Sequence, residues 1–167
     1  SDANGLGGLF GNITTNVRIK ISNLGIEDSY ISVSTVNGSA GALFASVASW
    51  GDENKVEIEN CYSSDTVILK GYKVAGLAGY TGKLTSFKNC YSSAQIFEEG
   101  ENALGGALVA DCAGLAITFS NCYSTSQSKD LVRYGYGNVT FTDCYAGIKW
   151  YLKDIDAITK LNSEQML

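Results

Sequence analysis

The sequence predicts an all-β fold, a parallel β-helix (solenoid) of about five rungs with repeats of roughly 22–34 residues. Three observations predict it. The phrase Asn-Cys-Tyr-Ser begins at Asn60, Asn89 and Asn121 and returns as Asp-Cys-Tyr-Ala at Asp143. A second phrase of small residues around a leucine alternates with the first, and each tyrosine follows an alternation of apolar and polar residues. Two phrases in fixed alternation indicate two distinct sides of one repeating coil.

The first phrase predicts a column of like residues in successive coils. With an upstream copy at Asp28-Ser29-Tyr30-Ile31, its tyrosines are 32, 29, 32 and 22 residues apart. The predicted column consists of Asn60, Cys61, Tyr62, Asn89, Cys90, Tyr91, Asn121, Cys122, Tyr123, Asp143, Cys144 and Tyr145.

The second phrase predicts a column of leucines in walls made of glycine and alanine, residues that permit close approach or a tight turn. The leucines recur after 34, 34 and 31 residues. The members of this column are Leu9, Leu43, Leu77 and Leu108. Leu131 takes the same place in the last repeat, but too few residues separate it from Tyr123 for a middle strand. The final rung is therefore predicted to be narrower than the others.

Each Asn-Cys-Tyr phrase ends a predicted half-buried strand. In Val56-Glu57-Ile58-Glu59, apolar residues alternate with polar ones, which is the period of a strand with one wet face. The corresponding strand lies about 30 residues further on, so these strands are expected to stack in parallel. A second strand at Thr66-Val67-Ile68-Leu69 and a third in the leucine phrase give three predicted strands in each coil.

The asparagine decides which of its neighbours faces the interior. Unbroken alternation puts asparagine and tyrosine inside and cysteine in water, whereas a bend at asparagine buries cysteine. Because a row of exposed thiols would be reactive, we favour the bend, and the sequence leaves the other arrangement open. At such a bend, asparagine can bond the local backbone and the asparagine of the next rung.

The five cysteines predict free thiols and no metal site. Four of them stack at the inter-strand spacing of about 4.8 Å, with Cβ vectors side by side, where a disulfide needs them to converge. Zinc sites use closely spaced cysteines or histidines, and the chain has neither CxxC nor histidine. No cofactor is predicted.

Composition limits the partners. The 12 basic and 17 acidic residues give a net charge of -5, with no basic run to bind nucleic acid or anionic lipid. No apolar stretch reaches the roughly 20 residues that cross a bilayer, so no direct membrane insertion is expected. The array is expected over residues 1–146. Residues 147–167 are expected to form a partly helical cap or to begin the next unit of a longer parent chain, whose flanking domains would then be partners.

Few residues offer chemistry. Catalytic triads and dyads that use histidine are excluded. Glu57 and Glu59 are expected to lie about 7 Å apart on one face, as a solvated pair in preference to a catalytic one. The acidic stretches 52–54 and 98–102 offer oxygen ligands for Ca²⁺ but lack its loop spacings, so loop solubility is the preferred interpretation. No catalytic residue is predicted.

Tyrosines are the remaining candidates for ligand contact. Those of the Asn-Cys-Tyr phrase are expected to stack within the structure. Tyr134 and Tyr136 are flanked by glycines and lie beside Arg133, so these three residues are predicted to contact a ligand such as a sugar ring.

The alternation of Gly-Gly-Leu-x-Gly with Asn-Cys-Tyr-Ser resembles the Glug repeat, a bacterial motif of large secreted or surface-attached proteins that include immunoglobulin A1 proteases and adhesins. The resemblance covers roughly Gly7 to Tyr145, and the tail 159–166 is similar to a Thr-x-x-Gln-Met phrase that follows such arrays. Ala45 and Ala110 depart from it by replacing the closing glycine. It implies a β-helical, extracellular, non-catalytic module and carries over no catalytic residue.

The function expected is therefore that of a non-catalytic extracellular or cell-surface repeat module, serving adhesion or acting as a stalk. Its partner would be a host or matrix protein or a glycan. The alternative is a carbohydrate-active β-helix enzyme, such as a polysaccharide lyase or glycoside hydrolase, or a carbohydrate-binding module.

Overall fold

The computed structural model describes residues 5–49, 55–82, 84–113, 116–126, 130–136 and 139–146. Within these residues the regular elements are β-strands, joined side by side in parallel sheets. The backbone winds through five coils, which confirms the predicted parallel β-helix of about five rungs. The predicted cap over 147–167 lies outside the described residues.

The strands follow one another in the same order in each coil. The first coil contains β1 (Leu6–Gly7), β2 (Asn12–Thr15), β3 (Ile19–Ser22), β4 (Gly25–Ile26) and β5 (Tyr30–Ser32). The second contains β6 (Ser39–Gly41), β7 (Phe44–Ser49), β8 (Val56–Glu59), β9 (Tyr62–Ser63) and β10 (Ile68–Gly71). The third contains β11 (Lys73–Ala75), β12 (Ala78–Thr81), β13 (Thr85–Lys88), β14 (Tyr91–Ser92) and β15 (Gln95–Glu98). The fourth contains β16 (Leu104–Gly106), β17 (Val109–Ala113), β18 (Ile117–Ser120) and β19 (Tyr123–Ser124), and the fifth contains β20 (Val132–Tyr136), β21 (Val139–Thr142) and β22 (Tyr145–Ala146).

These strands stack into five sheets, numbered here by the position of their strands in the coil. Sheet 1 joins β1, β6, β11 and β16; sheet 2 joins β2, β7, β12, β17 and β20; sheet 3 joins β3, β8, β13, β18 and β21. Sheet 4 joins β4, β9, β14, β19 and β22, and sheet 5 joins β5, β10 and β15. In the described residues the last coil has no strand in sheets 1 and 5. Residues 127–129, between Tyr123 and Leu131, and residues 147–167 lie outside the described residues, so the narrower final rung stays a prediction.

Each complete coil has five short strands, so the prediction of three was wrong. The extended stretch that ends at Tyr62 is divided into β8 and β9 because Asn60 has a φ of 54° and turns the chain between them. The leucine phrase is also divided, between sheets 1 and 2. The second predicted strand, at 66–69, is observed as β10, two residues later.

Sheet 3 confirms the predicted alternation of buried and exposed residues. Phe87, Phe119 and Phe141 lie in register on neighbouring strands, are nearly inaccessible to solvent, and stack with ring centroids 4.9 and 5.0 Å apart. Their strand neighbours on the other face, such as Thr118 and Thr140, are exposed. The core is thus a ribbon along the axis, as expected of a solenoid.

The upstream copy of the Asn-Cys-Tyr phrase was placed wrongly. Tyr30 pairs with Ile68 in sheet 5, not with a tyrosine of sheet 4. The first coil's counterpart of the phrase is Asn23-Leu24-Gly25-Ile26, since Gly25 pairs with Tyr62. This copy keeps only the asparagine, so it cannot be recognised from the repeated sequence. Glycine is required at position 25 because a Cβ there would lie 2.2 Å from Cζ of Tyr62.

The leucine column is confirmed from the second coil onward and wrong for the first. Leu43, Leu77 and Leu108 are fully buried, and the backbone N–H of each of the first two donates to the carbonyl of the next leucine. The N–H of Leu9 donates instead to Ala42, one residue out of step, and the side chain of Leu9 is 55% exposed. The shifted register turns this leucine out of the core.

Candidate functional site

An asparagine column turns the chain between sheets 3 and 4. The φ angles of Asn60, Asn89 and Asn121 are 54°, 52° and 51°, in the left-handed region that asparagine tolerates better than most residues. Each side-chain Nδ2 donates to Oδ1 of the asparagine in the preceding coil, at 3.0 Å from Asn89 to Asn60 and 3.1 Å from Asn121 to Asn89. The predicted bend and ladder are confirmed, although the side chains lie at the exposed edge of the coil.

The bend places cysteine inside. Cys61, Cys90, Cys122 and Cys144 are free and fully buried, as favoured from the sequence. Each Sγ donates to the carbonyl two residues earlier, at 3.3 Å, so the thiols are held by their own strands. Cys112 lies apart from this column and bonds Oγ1 of Thr81 at 3.1 Å. Burial raises the pKa of the Cys112 thiol to about 12. All five thiols therefore belong to the buried interior of the coil.

The tyrosines of the phrase form a column on the outside of sheet 4. The rings of Tyr62, Tyr91 and Tyr123 are nearly parallel, with centroids 4.9 and 5.0 Å apart. Tyr145 continues the register after Tyr123. The ring of Tyr91 therefore has both faces covered by other tyrosines, which leaves its edge for solvent and no open face for a sugar. The prediction that the tyrosines of the phrase stack within the structure is confirmed for Tyr62, Tyr91 and Tyr123.

The column is linked to a carboxylate at its first ring. The hydroxyl of Tyr62 donates to Oε1 of Glu27 at 2.5 Å. This bond, and then desolvation, raise the pKa of Tyr62 above its ordinary value. The pKa of Tyr91 is raised by desolvation and by its neighbour Tyr123.

The acidic pair on sheet 3 faces basic residues. Glu57 accepts two hydrogen bonds from Nη2 of Arg18, at 2.7 and 2.9 Å. Glu59 lies 2.6 Å from Nζ of Lys20 and 3.5 Å from Nζ of Lys88. The hydrogen bond from Lys20 holds the pKa of Glu59 below its ordinary value, so this carboxylate stays ionised. The arrangement agrees with the solvated pair that the sequence favoured. A general acid needs a raised pKa, and that of Glu59 is lowered.

The residues predicted to contact a ligand lie at the end of sheet 2. Arg133 is exposed, with Nη1 3.6 Å from Oδ2 of the buried Asp130. Tyr134 is 41% exposed and pairs with Asp111, whose carboxylate lies 2.7 Å from Nζ of Lys73. The side chain of Tyr136 lies outside the described side chains. All three residues lie on β20, where the side chains of Arg133 and Tyr134 are exposed, and ligand contact stays a prediction.

A cleft of about 490 Å³ opens at another corner, where the chain passes from sheet 5 to sheet 1. The connection has six residues (33–38) after the first coil, Tyr72 alone after the second, and five residues (99–103) after the third. Two long connections therefore flank a short one, and the space between them is the cleft. Its lining residues are Val33, Ser34, Thr35, Val36, Tyr72, Glu99, Gly100 and Glu101.

Both walls of the cleft end in hydrogen-bonded turns. In the first, Gly38 N–H donates to the carbonyl of Thr35 at 2.9 Å, and in the second, Ala103 N–H donates to that of Gly100 at 3.3 Å. The third residue of each turn, Asn37 or Asn102, has a positive φ of 66° or 62°, as in a type II turn. These matched turns fix two tips on opposite sides of the cleft.

The floor of the cleft is the partly exposed ring of Tyr72. Gly100 approaches this ring, and a Cβ there would lie 3.3 Å from Cδ2 of Tyr72. Its φ of 109° also favours glycine. One tip carries Val36, which is 83% exposed, and the other carries the exposed Glu101. The ring thus lies between a wall that ends in Val36 and a wall that ends in Glu101.

Sequence reasoning missed this cleft. The acidic stretch 98–102 was interpreted as a soluble loop, and the salt bridge of 2.7 Å between Glu99 and Lys70 agrees with that for one of its members. The other acidic stretch, 52–54, lies outside the described residues. The signal that was available is the unequal number of residues between the second strand and the leucine phrase in successive repeats.

Among the described residues no helix is long and apolar enough to cross a bilayer, and no group of three or more Cys, Asp or Glu is placed to hold a metal ion. Comparison of the sequence with models of protein families, with curated proteins and with solved structures found no match. The resemblance to the Glug repeat thus rests on the repeated phrases alone and stays a prediction.

Proposed function

We propose that this chain is a non-catalytic repeat module of a secreted or cell-surface bacterial protein, which serves as a rigid stalk and presents side chains for adhesion. One observation carries the proposal: repeated residues are used to hold each coil on the next. Tyr62, Tyr91, Tyr123 and Tyr145 occupy one register position in four successive coils. Columns of this kind suit a rod of defined length and stiffness.

The outward charges support the same function. Arg18, Lys20 and Lys88 bridge neighbouring strands by binding Glu57 or Glu59, so the outer face of sheet 3 reinforces the stack. Exposed ion pairs contribute little to stability singly, and a row of them acts together along the axis. Extracellular location and bacterial origin come from the resemblance to Glug repeats.

The proposal is tested with the full chain and with cells that produce this protein. Mild protease treatment of intact cells is expected to release fragments that react with an antibody against this chain. Incubation of the chain with a panel of polysaccharides is expected to produce no new reducing ends and no unsaturated uronates. Protection of the epitope until the cells are lysed would refute the location. Turnover of any polysaccharide that scales with protein concentration would refute the non-catalytic assignment and favour the carbohydrate-active alternative.

A further inference from the structure

From the cleft at the corner between sheets 5 and 1 we infer a binding site for a neutral carbohydrate, which stacks one sugar ring on Tyr72. The inference deepens the proposed function, because it assigns a ligand class to a module proposed to bind without cutting. The volume of about 490 Å³ lies within the range of roughly 300–1,000 Å³ that is usual for small-ligand sites.

The floor of the cleft suits one face of a sugar. A pyranose presents C–H groups on its faces, and these pack on aromatic rings. Tyr72 differs from Tyr91, whose ring lies between two other tyrosines, because the residue that approaches it is a glycine. Any side chain at Gly100 would meet the ring. Glycine at this position therefore leaves the ring approachable.

The rim of the cleft suits the hydroxyl groups of a sugar. Ser34 and Thr35 line one wall, and Glu99 and Glu101 line the other. Hydroxyls both donate and accept, and ionised carboxylates accept from the hydroxyls of a ligand. Val36, at its exposed tip, adds an apolar contact for the edge of the ring. Aromatic floor and polar rim together match the two chemical surfaces of a saccharide.

The charge of the cleft selects among saccharides. Lys70 lies 2.7 Å from Glu99 and offsets that charge, but Glu101 adds a second carboxylate. A sialic acid or a uronate would bring a further negative charge close to Glu101, and like charges repel at this range. Neutral sugars are therefore expected to bind more tightly than acidic ones.

The spacing of the walls determines how much of a glycan the cleft can hold. The connections that flank Tyr72 belong to coils two strand spacings apart, or roughly 10 Å. The cleft is therefore expected to hold one or two rings, with the rest of the glycan in solvent. The turns that close the walls are hydrogen-bonded at 2.9 and 3.3 Å, so little reordering is required when the ligand binds.

The experiment begins with the labelled full chain on an array of neutral and acidic glycans and continues by calorimetry with the best neutral oligosaccharide. Tyr72→Ala is expected to weaken binding by roughly tenfold, and Tyr72→Phe, which keeps the ring, by less than about threefold. Val36→Asp, at a position that is 83% exposed and so tolerant of change, is expected to weaken binding without altering the fold. Tyr30→Ala, a control at an exposed tyrosine outside the cleft, is expected to bind as the wild type does.

Several results would overturn the inference: no glycan bound by a folded wild-type chain, tighter binding of acidic than of neutral glycans, or equal binding by wild type and Tyr72→Ala. Tighter binding of an oligolysine peptide than of any neutral glycan would overturn it as well. Loss of glycan binding in Tyr134→Ala but not in Tyr72→Ala would move the site to the end of sheet 2. Cleavage of a bound glycan contradicts the proposed function but not the site, so the two failures can be told apart.

Discussion

Replacement of Asn89 tests the bend between sheets 3 and 4, which determines that cysteine and not tyrosine faces the interior. Alanine at this position would have to adopt a φ near 52°, which costs about 1–2 kcal/mol for a residue that, unlike asparagine, cannot offset the cost with a local side-chain hydrogen bond. It would also remove two hydrogen bonds, to Asn60 and from Asn121, each with a net value of roughly 0.5–1.5 kcal/mol. Because these bonds lie at the exposed edge, the lower part of that range applies. Asn89→Ala is therefore expected to lower the free energy of unfolding by about 2–4 kcal/mol.

Two variants at the same position separate the contributions. Asn89→Gly loses the same hydrogen bonds but adopts positive φ freely, so it is expected to be more stable than Asn89→Ala by about 1 kcal/mol. Asn89→Asp accepts the bond from Asn121 but cannot donate to Asn60, so its stability is expected to lie between wild type and Asn89→Gly. Thr118→Ala, on the exposed face of the neighbouring strand, is a matched control with an expected change within about 0.5 kcal/mol.

The assay is urea unfolding monitored by circular dichroism, together with amide hydrogen exchange. Exchange is expected to accelerate first at the amides of Asn89 and Asn121, which donate to the carbonyls of Ser120 and Thr142 on the next coil. If Asn89→Ala were as stable as Asn89→Gly, backbone conformation at the bend would not matter. If both variants were as stable as Thr118→Ala, the column of asparagines would not contribute to stability. The explanation that the asparagine bend turns cysteine into the interior would then fail.

Three further predictions follow from the other columns. Phe119→Ala, which removes the central ring of a buried stack, is expected to cost about 3–5 kcal/mol, whereas Phe119→Leu, which refills most of the volume, should cost much less; equal losses measured by urea unfolding would show that the filled volume is unimportant here. The five buried thiols are expected to react with a thiol reagent only after unfolding, and rapid reaction of any one in the native chain would contradict its burial. The raised pKa values of Tyr62 and Tyr91 mean that their stabilising effect is present below pH 10 and is lost as pH rises through the folded-state values. Absorbance titration should therefore show late-ionising tyrosines, and Tyr62→Phe should remove part of the alkaline loss of stability.

The parts of the fold that sequence could predict are those in which identical residues occupy identical positions. Cys90 and Cys122, or Phe87 and Phe119, repeat because the same interior space recurs at every coil. The sequence could therefore predict parallel stacking, the buried thiols and the stacked tyrosines. The first coil could not be aligned from sequence because its residues differ from those at the same positions in the later coils. Gly25 stands where Tyr62 stands, because the ring of Tyr62 already fills the space that another side chain would need.

The number of strands in a coil could not be predicted from alternation alone. A left-handed residue such as Asn60 interrupts a strand without interrupting the pattern of hydrophobic residues around it. The alternation from Val56 to Tyr62 reads as one strand, although buried positions change from even to odd numbers across the bend. The burial of cysteine was predicted correctly only because exposed thiols are reactive. The alternation of hydrophobic and polar residues does not by itself indicate which side faces inward.

The candidate binding site was least predictable because it arises from differences between coils. The corner between sheets 3 and 4 has two residues in all five coils, whereas the corner between sheets 5 and 1 has six, one and five in successive coils. The stacked strands require the same length at the corner between sheets 3 and 4 in every coil. The corner between sheets 5 and 1 tolerates different lengths, since connections that project into solvent do not disturb the packing of the core. Tyr72 is accessible because its own connection is the short one between two long ones. A ligand site on such a solenoid is therefore expected where repeat lengths depart from the mean, not where the repeated letters are best conserved from coil to coil.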